Sequence, residues 1–134
     1  MAHPNEDLLR KMDEAQGSGD VEKMMSFFAD DVVVHIGGRS QMAGDKKGKQ
    51  ELIQSFGTFM QAMGEDAQFD THDIVAGDTH GFILQSFSSN KGGKPIEIHG
   101  IGVFHFAGGK ISEAWFLDED PYKADPWYDE ALKG

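Results

Sequence analysis

Cysteine is absent from this chain, which excludes disulfides, thiolate nucleophiles and cysteine-ligated metals. Long apolar runs are missing too, and no stretch approaches the roughly 20 residues a membrane span needs. The N-terminus, Met-Ala-His-Pro-Asn-Glu-Asp, lacks the basic and apolar regions of a secretory leader. A cytoplasmic protein is expected. Basic residues are scarce beside acidic ones: 12 Lys and Arg against 23 Asp and Glu give a formal net charge of −11. That balance argues against nucleic acid as a partner, because phosphate neutralisation supplies most of such affinity. No His-Glu-x-x-His spacing occurs among the six scattered histidines, so no metal site is expected. Phosphate cradles are also lacking: Gly92-Gly93 and Gly108-Gly109 read as hairpin turns, not as openings of helices. No cofactor is expected.

What the chain does have is one domain's worth of residues, 1–134, enough for a substantial core. Residues 18 to 36 are the most informative stretch. Asp20 reads as a helix N-cap, and the short helix after it carries Val21, Met24, Met25, Phe27 and Phe28. Asp30-Asp31 is expected to stop that helix, and a β-branched strand follows over about Val32 to Ile36. An earlier helix opens after Asn5 with the stripe Leu8, Leu9, Met12 and Ala15. A third, from about Lys49 to Met63, has the best helical period in the chain, with Leu52, Ile53, Phe56, Phe59, Met60 and Met63. Beyond Gly64 come four strand-like segments, about 68–76, 81–89, 95–107 and 110–117. The turns between the later ones are short, which makes neighbours antiparallel. Three N-terminal helices on a curved, mostly antiparallel sheet form an α+β architecture. Residues 118–134 are expected to form an acidic tail whose aromatics, Tyr122, Trp127 and Tyr128, dock on the body or close the cavity mouth.

This order of elements resembles the SnoaL-like branch of the nuclear transport factor 2-like (cystatin-like) superfamily. The resemblance is carried by Gly19-Asp20 through Ala29-Asp30-Asp31, by Val34-His35-Ile36-Gly37 with Ala43-Gly44, and by the hairpin from Phe104 to Glu113. It implies a cone-shaped fold, a hydrophobic cavity between helices and sheet, and a homodimer formed through the outer sheet face. The partner expected in the cavity is an apolar small molecule, held by Met12, Phe27, Ile36, Phe56, Phe59, Met60, Gly102, Phe104 and Phe116. Glycines 100 and 102 on the cavity side are expected to leave volume for it.

Three relatives' chemistries can be tested residue by residue. A ketosteroid isomerase needs a carboxylate base, a tyrosine and a protonated aspartic acid. Alignment places those roles at Ile36, Met12 and Gly102, none of which can transfer a proton, so that reaction by those residues is excluded. The polyketide-cyclase acid falls at Phe116. Asp118, two residues on, shares its face if the strand continues. His35 is the other candidate acid or base, because imidazole titrates near neutrality. Aligned as an isomerase the strand turns His35 outward, and aligned as an epoxide hydrolase it turns His35 inward; the inward placement is the one expected. Two functions follow: an isomerase, cyclase or hydratase using His35 and Asp118, or a non-catalytic ligand-binding homodimer.

Overall fold

The computed structural model describes residues 3–133. Met1, Ala2 and Gly134, which the leader and tail readings include, lie outside the described residues. Helix α1 (Pro4–Ser18) starts where proline is tolerated, at its first position, with the His3 side chain accepting the N–H of Asn5 at 3.1 Å. It buries Leu9, Met12 and Ala15 and ends at Gly19, whose φ of 76° only glycine adopts cheaply. Helix α2 (Val21–Met25) is capped by Asp20, which accepts the N–H of Lys23 at 3.1 Å.

α2 is shorter than the sequence predicts, because strand β1 (Phe28–Ile36) begins four residues early. Asp30 and Asp31 therefore sit inside the strand as exposed residues instead of stopping a helix. The loop after β1 also yields a short strand, β2 (Gly44–Lys47), which pairs antiparallel with it. Helix α3 (Gly48–Met63) follows, its start held by Glu51 accepting the Lys47 N–H at 2.9 Å. Strands β3 (Gln68–Ala76), β4 (His80–Ser89), β5 (Ile96–Ala107) and β6 (Lys110–Asp118) form the meander expected from the turn residues. A fourth helix, α4 (Pro121–Ala131), occupies the tail; Asp120 caps it, and it buries its own Ala124 and Tyr128, while Tyr122, expected to dock, stands exposed in its first turn.

The six strands form one sheet in the order β2-β1-β6-β5-β4-β3. All neighbours are antiparallel except β1 and β6. Register shifts in β1/β6, β3/β4 and β5/β6 mark bulges, which bend the sheet around the helices. On the concave face lie Val32, Val34, Ile83, Phe104 and Ala114, packed under α1 and α2 as one core. A second core joins Met42, Met63, Phe87, Ile96 and Ile98 to Ala124 and Tyr128 of α4. Ile36 packs against both and lines a cavity that opens where the two cores meet. Among the described residues, no helix is long and apolar enough to cross a membrane.

Candidate functional site

The cavity has a volume of about 120 Å³. Helices α1, α2 and α3 supply Met12, Met24, Met25, Leu52 and Phe56; the sheet supplies Val34, Ile36, Phe87 and Phe116. Four methionines, 12, 24, 25 and 42, face it, giving walls of unbranched side chains that repack easily. Of the pocket residues expected from sequence, Met12, Ile36, Phe56, Phe59 and Phe116 line it. Phe27, Met60, Gly102 and Phe104 do not. Phe27 precedes β1 and packs at the flank of the first core, while its neighbour Phe28 takes the inward position. Met60 lies one residue, or about 100° of helix turn, beyond Phe59. Phe104 is fully buried, and its ring fills the space over Gly102. A Cβ on Gly102 would meet the Phe104 ring at 2.8 Å and the Phe116 ring at 3.2 Å. That glycine makes room for the protein's own rings; Gly100 is the one that borders the cavity.

Asp118 is the carboxylate of the cavity. It ends β6 on the concave side, in register with Gly100, and its Oδ1 lies 3.4 Å from where a Cβ on that glycine would be. A Cβ there would touch the acid and press on the Leu117 carbonyl oxygen at 3.0 Å. Burial among apolar groups, and secondarily the negative charge of Asp125, push the Asp118 carboxyl up to about 6. The same two charges, with burial as the larger cause, keep the nearby Tyr128 hydroxyl protonated. Asp125 is fixed in turn: it accepts the Arg39 N–H at 2.8 Å, and one turn further Asp129 accepts the Gln41 N–H at 2.8 Å. These two bonds tie α4 to the loop after β1, whose Ser40 and Met42 reach the cavity. Gln85 on β4 and Ser55 on α3 add neutral polar groups to the lining.

His35 is not in the cavity. Val32 and Val34 are wholly buried on the concave side and Ile36 lines the pocket, so alternation turns His35 to the outer face. The inward placement expected from the epoxide-hydrolase alignment is not met. There Nδ1 lies 2.7 Å from Asp45 on β2 and Nε2 lies 2.7 Å from Glu113 on β6. Ionised carboxylates only accept, so the imidazolium form, with both ring nitrogens donating, is the one this arrangement favours. The bond to Glu113 first, then that to Asp45, holds its pKa above the usual value. Trp115 stacks on it with centroids 5.3 Å apart. His35 and Asp118 thus lie on opposite faces of the sheet and form no acid–base pair.

The residues that sequence reading missed, Met24, Met25, Ser40, Met42, Gln85 and Tyr128, come from four separate segments. Methionine content was a signal for the walls; nothing local marks Gln85 or Ser40.

In sequence, the SnoaL-like domain family matches residues 9–114 of the chain. No curated protein matches it. Several solved structures share the fold. Bal32a, from a soil-derived mobile gene cassette, superposes with a TM-score of 0.88 at 24% identity, covering 95% of this chain and 98% of that one. A protein of unknown function with a cystatin-like fold from Xanthomonas campestris gives 0.82 at 22% identity, covering 91% and 95%. IdmH from Streptomyces antibioticus, a proposed polyketide cyclase, gives 0.70 at 20% identity, covering 87% and 92%. With the helices, the mixed sheet and the family match in agreement, the chain belongs to the SnoaL-like domain family.

Proposed function

We propose that the chain binds an apolar small molecule in the cavity and moves a proton on it through Asp118, as an isomerase, cyclase or hydratase. The observation that carries this reading is a carboxyl raised to about 6 inside an apolar cavity. Such a group is mostly carboxylate near neutral pH, yet holds an abstracted proton far better than an ordinary aspartate. Tyr128, kept protonated beside it, is the available donor for a substrate oxygen that gains negative charge. His35 takes no part in the chemistry on this reading, since both its nitrogens are bound on the far face. The proposed polyketide-cyclase role of IdmH is in keeping with proton chemistry on such a scaffold. The reaction is not that of a ketosteroid isomerase by that family's residues, because Ile36, Met12 and Gly102 stand in their places.

The second reading, a non-catalytic binding module, is favoured by the separation of His35 from Asp118. A thermal-shift panel of steroids, terpenoids, aromatic polyketides and fatty acids, followed by turnover assays of wild type and Asp118→Asn, separates the two. Loss of at least a hundredfold in turnover with ligand affinity kept within a few-fold supports the catalyst. Binding without wild-type turnover supports the module.

Either function is proposed for a homodimer. The outer face aligns Val75, Phe82 and Val103 in one cross-strand row and Leu84, Ile101 and Leu117 in another. Val75, Phe82, Leu84 and Leu117 are 49%, 39%, 40% and 46% exposed, an apolar patch suited to a second copy.

A further inference from the structure

We propose that the cavity selects an uncharged ligand about the size of a single ring, with a hydrogen-bond acceptor at the Asp118 end, and rejects anions. This rests on Asp118 being the proton-handling group and names the ligand class for that same site.

Size comes first. A dry cavity of about 150 Å³ lined by apolar side chains takes up benzene. The cavity here, about 120 Å³, is of that order, and a four-ring skeleton is several times too large for it. The volume is limited by packed rings. Phe104 and Phe116 meet edge to face with centroids 5.7 Å apart, closing the space that Gly102 would otherwise open. Phe59 and Phe87, edge to face at 5.2 Å, close it toward the second core.

Charge decides the rest. Among the described residues no Lys, Arg or His lines the cavity. Asp118 is its one carboxylate, and Asp125 is close enough to act on both Asp118 and Tyr128. An anionic ligand would lose its water shell beside two negative groups with no cation to replace it, a strongly unfavourable transfer. A neutral molecule meets no such barrier. The polar side chains that remain are neutral: the Tyr128 hydroxyl, the Gln16 and Gln85 amides and the hydroxyls of Ser40 and Ser55. Each can donate to an acceptor such as a carbonyl oxygen. The chemistry that fits is a small cyclic ketone or enol, with its acidic C–H or O–H presented to Asp118.

The test uses the full chain, isotopically labelled, with three probes at pH 7: cyclohex-2-enone, benzoate and progesterone. Cyclohexenone is expected to give saturable shifts at Gly100, Gln85 and Ser40, with an affinity at least tenfold above that of benzoate; progesterone is expected to give none. In Asp118→Asn, benzoate should gain at least fivefold relative to cyclohexenone, while progesterone remains excluded. Thermal melting of the variant confirms that it is folded. Equal binding of benzoate and cyclohexenone in wild type, tighter binding of progesterone, or no shift with any probe overturns the proposal. Deuterium exchange from solvent into bound cyclohexenone is read in the same samples. Selective binding with exchange that does not depend on Asp118 sinks the acid–base reading and leaves the ligand class standing.

Discussion

Glu113 lies 2.7 Å from His35 Nε2 across the parallel pair β1 and β6, and the ring's other nitrogen is held equally closely by Asp45. In its protonated form the ring ties three adjacent strands together on the outer face. Its pKa is raised in the fold, from 6.5. The stabilisation is therefore fully present below pH 6.5 and is lost as pH rises through the higher folded value. Because the partly exposed pairs are screened by solvent, we expect a contribution on the order of 1 kcal/mol. Thermal melting of wild type and His35→Gln between pH 5 and 9 should show curves that converge at high pH. Parallel curves would refute the assignment, and turnover should be unchanged in either case.

Asp118 has the same direction of pH dependence for the opposite reason: the fold favours the charged form of His35 and disfavours the charged form of Asp118. Its folded pKa of about 6 lies above its unfolded value near 3.8. The folded state then holds the extra proton, and stability falls as pH rises from about 4 to about 6. Above that range the charged, half-buried carboxylate is a standing cost. Asp118→Asn should raise stability at pH 8 by about 1–2 kcal/mol, after allowance for its contact with water, and flatten the melting profile between pH 4 and 6. A variant less stable than wild type at pH 8 would contradict the raised pKa.

Gly38 and Asp125 are coupled through the clasp between α4 and the loop after β1. Gly38 has φ 94°, and a Cβ there would sit 2.5 Å from Asp125 Oδ1. Gly38→Ala should destabilise by about 2–4 kcal/mol, from backbone strain and the clash together. In an Asp125→Ala background the steric part disappears, so the same substitution should cost at least 1 kcal/mol less. Additive effects in chemical denaturation would show that the loop and helix move apart freely.

Gly102 is a packing position. With rings at 2.8 and 3.2 Å from the missing Cβ, Gly102→Ala should overpack the core and cost about 1–3 kcal/mol. If the substitution is tolerated with unchanged melting, the two phenylalanine rings have room to move and the cavity is larger than about 120 Å³.

The outer face gives a test of assembly. Phe82→Glu with Leu84→Glu should convert a dimer to a monomer in sedimentation, with far-ultraviolet dichroism retained, since both side chains are 39–40% exposed in the single chain. A wild-type protein that sediments as a monomer at micromolar concentration would remove the dimer from the proposal.

The sequence determined most of the elements, because their signals are local. Pro4 and Gly19 bound α1, Asp20 caps α2, and the Asn90–Gly93 and Gly108-Gly109 turns place β4, β5 and β6 nearly as read. It also marked Asp118, by period-two alternation from Phe116. It could not orient His35. Val32-Val33-Val34-His35-Ile36 is apolar on both sides of the strand and carries no alternation, so either parity satisfies it. Pairing with β6, which brings Val34 against Ala114 and His35 against Trp115 and Glu113 on the two faces, made that choice. Nor could it assign Gly100 and Gly102 their different tasks, since both are inward glycines two residues apart on one strand. Only the tertiary contacts did so: Phe104 folds its ring over Gly102 and leaves Gly100 open beside Asp118. Local chemistry fixes where a chain turns and which segments extend; which face meets the cavity depends on partners many residues away, and is decided when the sheet closes over the helices.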